Sequence, residues 1–148
     1  MEISEVKPTG ETLNTLIAFS RDWEAERSCW GYRANGPEDI EGNRVFMAWE
    51  EGEPVGYLFG HASRAKQMTS VALDGTPIFE VEELYVVPEQ RSRGIGRALF
   101  DRTAEAVAGE AEYIFLSTAT KNWKSILHFY IEELGMEFWS ARLFKKLR

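Results

Sequence analysis

The residues most able to do chemistry lie in Leu84-Tyr85-Val86-Val87-Pro88-Glu89-Gln90-Arg91-Ser92-Arg93-Gly94-Ile95-Gly96-Arg97. A β-rich run ends at Pro88, a short basic loop follows, and two glycines open a helical pattern. A helix start offers backbone N–H groups that lack intrahelical acceptors, and a partial positive charge. Glycine lets a ligand approach that backbone closely. Arg91, Arg93 and Arg97 add full charge. Together these residues make an anion site suited to a phosphate or pyrophosphate. A P-loop is excluded, because Arg97-Ala98 follows Gly96 where Lys and Ser or Thr are needed. A dinucleotide fingerprint is excluded too, because Leu99 stands where a third Gly or Ala belongs.

The elements that must position this loop follow from hydrophobic period. Ile3 to Lys7 alternates as a short strand. Thr9 or Thr12 can cap a helix whose Leu13, Leu16, Ile17 and Ser20 share a face. Gly36-Pro37-Glu38-Asp39 starts a second short helix. Arg44 to Glu50 and Val55 to Ala62 form an antiparallel hairpin, and Ile78 to Val87 a long strand. Gly94 to Ala108 is an amphipathic helix ended by Gly109, and Tyr113 to Thr118 a buried strand. Ser125 to Leu134 is a further helix closed by Gly135, and Phe138 to Leu147 a final strand. The fold class is α/β, with a mixed, mostly antiparallel central sheet flanked by helices.

Composition bounds the rest. The 148 residues suit a single domain spanning 1–148, are 44% hydrophobic, and carry a net charge of −7. That acidity disfavours nucleic acid and anionic membrane as partners and suits cationic ones or solubility. The charge is divided: residues 91–102 sum to +3, residues 141–148 to +4, and all other positions to −14. Cys29 is the only cysteine, and the only histidines, His61 and His128, do not make a zinc motif, so no metal is expected. No apolar run is long enough for a membrane span, and the acidic start is not a signal peptide, so a cytoplasmic protein is expected.

The run Arg91-Ser92-Arg93-Gly94-Ile95-Gly96 resembles the Gln/Arg-x-x-Gly-x-Gly/Ala signature of the GCN5-related N-acetyltransferases (GNAT). As in that family it follows a strand ending in Leu-Tyr-Val-x-Pro, and Phe129-Tyr130-(x4)-Gly135-Met136 resembles a second family element. The element order matches over nearly the whole chain. The resemblance implies the acyl-CoA N-acyltransferase fold with splayed fourth and fifth strands, and acetyl-CoA as donor. It implies that the pyrophosphate sits on Arg91, Ser92, Arg93, Gly94, Ile95 and Gly96, beside Arg97. The pantetheine would run along Leu84, Tyr85 and Val86, whose backbone N–H can polarise the thioester carbonyl.

The same resemblance implies Tyr130 as general acid for the departing thiolate. It implies a strand glutamate as general base, Glu82 first and Glu80 second, with a core aromatic and a solvated acidic face as the ordinary alternatives. A bulge in this strand would bring Glu83 into play. Asn122 resembles a pantetheine-contacting asparagine, at a spacing of eight residues from Tyr130 in place of the usual seven. A helix cap is its other reading. His128 reads as a surface residue. Trp23, Trp30 and Tyr32, with Asp22, Glu24, Glu26, Glu38 and Asp39, would suit a cationic acceptor. The expected reaction is direct attack of a primary amine, since Cys29 is far in sequence from the donor motifs. The acceptor is a small molecule, or alternatively a protein or peptide. A non-catalytic acyl-CoA-binding module is the remaining alternative. The short stretch after the last helix leaves a sheet edge that a homodimer could complete.

Overall fold

The computed structural model describes all 148 residues. Five strands form one sheet in the order β1-β2-β3-β4-β5. They are β1 (Glu2–Val6), β2 (Arg44–Glu50), β3 (Glu53–Arg64), β4 (Pro77–Val86) and β5 (Tyr113–Leu116). The first four pair antiparallel and β5 pairs parallel to β4. The helices are α1 (Gly10–Glu26), α2 (Pro37–Ile40), α3 (Ile95–Val107) and α4 (Trp123–Leu127), with a single 3-10 turn at Pro88–Gln90. After α4 the chain continues as a π-helical segment, His128–Glu133.

The alternating strands bury both sheet faces. On one, Phe46, Leu58, Phe79 and Val81 meet Ile95, Leu99 and Phe100 of α3. On the other, Val45, Met47, Tyr57, Phe59 and Tyr85 meet Leu16 of α1 and Ile40 of α2. Phe79 and Val81 therefore face α3 while Tyr85, an even number of residues on, faces α1. The switch comes from a β-bulge. Phe59 pairs with Glu83 and Gly60 with Val81, leaving Glu82 as the extra residue. Gly60 makes the bulge feasible, because a Cβ there would collide with the Glu80 carbonyl oxygen.

Two expectations fail at the C-terminal end. Tyr113 to Thr118 is not a buried strand: β5 stops at Leu116, and none of its residues is fully buried, because it is the outermost strand. Phe138 to Leu147 forms no strand. Its apolar residues have the composition of one, but no edge within the chain takes them as a partner. The helix expected over Ser125 to Leu134 starts two residues earlier, and its second half is π-wound. Thr9 stands at the N-cap of α1, yet its side chain makes no capping bond. No helix is long and apolar enough to cross a membrane.

Candidate active site

β4 and β5 pair only from Ile78↔Tyr113 to Val81↔Leu116. Beyond Val81, residues Glu82 to Val86 continue β4 beside β3 and have no partner on the β5 side. A gap therefore opens between the two strands at the end where β4 runs into the basic loop. There Ser92 and Gly94 both adopt left-handed backbone, φ 63° and 84°, which turns the chain sharply into α3. No side chain caps α3. The first N–H returning to the chain is that of Ala98, which reaches the Gly94 carbonyl at 3.0 Å. The N–H groups of Ile95, Gly96 and Arg97 have no acceptor within the helix. A Cβ on Gly94 would point into open space, and one on Gly96 would press on the Phe129 ring at 3.2 Å. Gly96 thus brings the Phe129-Tyr130 element against the helix start.

The three arginines are not equivalent. Arg91 donates both terminal nitrogens to the Glu26 carboxylate at 2.8 Å and Nε to the Val86 carbonyl at 2.7 Å. Its guanidinium also covers the Tyr85 ring at 5.3 Å. It fastens the loop to α1. Arg93 meets Gln90 at 3.2 Å, and Arg97 has only the exposed Asp101 at 3.6 Å, so both remain free to face an anion. Leu84 and Val86 are half-buried on the α3 side. Tyr85 is buried toward α1 with its hydroxyl unpartnered, and burial together with the Glu26 charge pushes that hydroxyl up to about 12.

The bulge distributes the three glutamates. Glu82 is exposed and places Oε1 3.1 Å from His61 Nδ1, while Glu80 lies 3.9 Å from His61 Nε2. Ligand atoms of these three residues lie within 4.8 Å of one another, a grouping that the scattered histidines of the sequence did not announce. Glu83 turns inward. It accepts hydrogen bonds from Tyr57 at 2.7 Å, from Tyr32 at 3.0 Å, and from Asn35 Nδ2 at 3.0 and 3.1 Å. Burial raises the Glu83 carboxyl above the usual carboxylate range, although those three donors favour its charged form.

Glu83 is one anchor of the loop 27–36 between α1 and α2. Asn35 N–H also donates to the buried Ser20 hydroxyl, and Ala34 N–H to Glu24, each at 2.9 Å. Trp30 N–H donates to the Ala119 carbonyl at 2.9 Å, and Lys121 N–H to the Ser28 carbonyl at 2.8 Å. The loop is thereby stitched to the segment between β5 and α4. A cavity of about 260 Å³ lies there, lined in part by Trp23, Glu24, Cys29, Tyr32 and Lys121. Trp23 stacks on Tyr32 at 4.4 Å and on Tyr85 at 5.5 Å.

Tyr130 sits in the π-helical segment, a winding that often accompanies functional sites. Burial, with a smaller contribution from Cys29, pushes its hydroxyl up to about 12. Cys29 lies close enough to Tyr130 to act on that hydroxyl through its charge, which its distance in sequence hid. The hydrogen-bonding partner of its thiol is the Ser28 hydroxyl, at 4.0 Å. Asn122 occupies the N-cap of α4 but its side chain makes no capping bond there. His128 is exposed. Of the acids expected to attract a cation, Glu24, Glu26 and Asp39 are already engaged in fastening loops.

Residues 13–136 match the acetyltransferase (GNAT) family. The chain belongs to that family. It is an N-acetyltransferase, and the family's cosubstrate is an acyl-CoA. No curated protein sequence matches it. Among solved structures it resembles the aminoglycoside N-acetyltransferase AAC(6')-Iy in complex with CoA. That match has 18% identity and a TM-score of 0.67, and covers 99% of each chain. An aminoglycoside acetyltransferase from an uncultured soil metagenomic sample matches at 21% identity and TM-score 0.68, covering 99% of this chain and 98% of that one. A ribosomal-protein-alanine N-acetyltransferase from Brucella melitensis biovar Abortus matches at 16% identity and TM-score 0.68, covering 99% of this chain and all of the other. At these identities the likeness is one of fold. The GNAT chain fits a CoA cosubstrate on its own geometry: uncapped N–H groups, an open Gly94, two free arginines and an unpaired stretch of β4 lie in one line.

Proposed function

We propose that this GNAT enzyme, acting as one domain over residues 1–148, transfers an acetyl group from acetyl-CoA to a primary amine by direct attack. The observation that carries the reading is the parting of β4 from β5 after Val81, in line with the uncapped start of α3. A pyrophosphate on residues 91–97 directs a pantetheine along Leu84 to Val86. The reacting carbonyl then lies in the gap, where a free β4 N–H stabilises the charge that develops on its oxygen. Asn122, with its side chain uncommitted, is assigned to the pantetheine.

Glu82 is the proposed base, with Glu80 as second choice, acting directly or through water. It takes a proton from the acceptor ammonium, and the freed nitrogen lone pair bonds to the carbonyl carbon. As the carbon–sulfur bond breaks, Tyr130 gives its proton to the departing thiolate. Burial pushes the Tyr130 hydroxyl up to about 12, so it carries its proton when the thiolate departs. Cys29 has no imidazole or carboxylate bonded to it, so nothing activates it as a nucleophile.

The acceptor is a small cationic amine, held by the Trp23–Tyr32 aromatic wall and by Glu82. Aminoglycosides are one such class, and they appear in the names of two structural relatives. We place the reaction in the cytoplasm, and we read the open β5 edge as completed by a second copy of the chain. The test is an acetyl-CoA turnover screen over polyamines, aminoglycosides, amino acids and N-terminal peptides. Turnover should appear with a small polyamine or aminoglycoside. Turnover with peptides alone overturns the acceptor class. CoA binding without turnover on any amine overturns catalysis. Gly94→Val should abolish CoA binding by calorimetry, and unchanged affinity would remove the donor site.

A further inference from the structure

The cavity beside the loop 27–36 carries a charge opposite to that of the chain. Its lining includes two cations, Arg27 and Lys121, and one acid, Glu24. The chain as a whole stands at −7. Glu24 is committed to the loop, since its Oε2 accepts the Ala34 N–H at 2.9 Å. The Arg27 guanidinium makes no hydrogen bond and no ion pair, although Glu24 is only three residues back along the chain. Lys121 rests its ammonium over the Trp30 ring at 4.6 Å and has no carboxylate partner. The charges left free at this cavity are therefore positive.

Main-chain bonds hold both cations in place. Arg27 ends α1 in left-handed backbone, φ 53°, with its N–H on the Glu24 carbonyl at 3.1 Å. Lys121 N–H is bonded to the Ser28 carbonyl at 2.8 Å. Each of the two stitched segments thus supplies one cation. An arginine fork and a lysine point charge together match a carboxylate. The wall beside them is aromatic, Trp23 stacked on Tyr32 at 4.4 Å, and a low local dielectric strengthens the attraction. At about 260 Å³ the cavity falls just below the roughly 300–1,000 Å³ of drug-sized ligand sites, so it takes a group of amino-acid size. It also borders the proposed reaction. Cys29 in its lining acts through its charge on the Tyr130 hydroxyl, and Tyr32 donates to Glu83 of β4 at 3.0 Å.

We infer that the acceptor carries a carboxylate as well as its amine, and that Arg27 and Lys121 bind the carboxylate while the amine faces the gap between β4 and β5. A diamino acid fits both ends. Its two ammonium groups keep it a cationic amine, and its carboxylate sets it apart from the corresponding diamine. The inference rests on the proposed acetyl transfer and names the acceptor class for that same site.

The probes are L-lysine against cadaverine and L-ornithine against putrescine, two pairs that differ only by the carboxylate. Steady-state kinetics with acetyl-CoA should give each amino acid a KM about tenfold or more below that of its diamine, the range of one charge-assisted hydrogen bond. Arg27→Met and Lys121→Met should each cut that preference about tenfold, and Lys121→Arg should keep most of it, with folding checked by circular dichroism. Equal KM within each pair, or a preference for the diamine, overturns the inference. So does a preference that both Met variants leave intact. Calorimetry with the same four probes, on enzyme holding CoA, reads the cavity apart from turnover. Amino-acid binding that the Met variants lose, without turnover of any probe, overturns the proposed acetyl transfer and keeps the carboxylate site. No preference for the amino acid in calorimetry overturns the inference, whatever the turnover.

Discussion

Arg91 and Glu26 form a two-pronged ion pair, each prong 2.8 Å long, that ties the donor loop to the last residue of α1. The arginine that opens the family signature therefore holds the protein together, while Arg97 faces outward. We expect Arg97→Ala to weaken CoA binding roughly tenfold, about 1.4 kcal/mol, and more so at low salt. Arg91→Ala should lose less CoA affinity and more melting temperature. Calorimetry and thermal melts on both variants decide it; a larger affinity loss at Arg91 contradicts this division of roles.

Tyr130→Phe should lower turnover about 10²-fold with CoA affinity unchanged. Because burial keeps the hydroxyl near 12, Tyr130 stays protonated at any ordinary assay pH. The pH–rate curve of the variant should therefore run parallel to that of the wild type. A lost alkaline limb in the variant would show that the tyrosine titrates within the assay range.

Glu82→Gln should lower turnover most near neutral pH. The defect should shrink as pH approaches the pKa of the acceptor amine, since the substrate then supplies its own neutral nitrogen. A pH-independent defect would argue for a role other than base.

Glu83→Gln should behave differently from Glu82→Gln. It removes the hub that holds Tyr32 and Asn35, so the acceptor KM should rise with the shape of the rate profile unchanged. Burial raises the Glu83 pKa in the folded state. The stability this contributes is fully present below the ordinary carboxylate value and is lost as pH rises through the raised one. Denaturation across that window should show a falling slope that Glu83→Gln flattens.

Cys29→Ser should change turnover little, and no acetyl-cysteine should form with acetyl-CoA alone. Stoichiometric acetylation of Cys29, read by mass spectrometry of the protein mixed with donor, would replace direct transfer with a two-step route.

The donor end was legible because its chemistry is local. Residues 84 to 97 contain the strand end, the glycines and the charge in one run, and hydrophobic period located β2 at its observed bounds and β4 and α3 to within one residue at each end. The glutamates were legible only as a set. Which way Glu83 points depends on one extra residue opposite Phe59 and Gly60, a pairing no single strand reveals. Ser28 to Trp30 reach Ala119 to Lys121 because the loop is bonded there, and His61 meets Glu82 across two strands; these are long-range contacts without a periodic signature. Phe138 to Leu147 misled for another reason. A strand's composition states what a segment can pair with, and the partner must come from elsewhere.

The hydrogen bonds that stitch Ser28–Trp30 to Ala119–Lys121 run from main chain to main chain, with the Lys121 ammonium over the Trp30 ring as a side-chain addition. Those hydrogen bonds do not depend on which side chains the segments carry. Cys29 can be exchanged for other residues while the flap stays fastened, because its side chain takes part in none of these main-chain bonds, whereas Tyr32 is itself held by Glu83 and Gly31 keeps a left-handed backbone. Acceptor preference in this enzyme can thus drift by point mutation without the cleft coming open, which makes the flap the natural place to begin a laboratory search for new amine substrates.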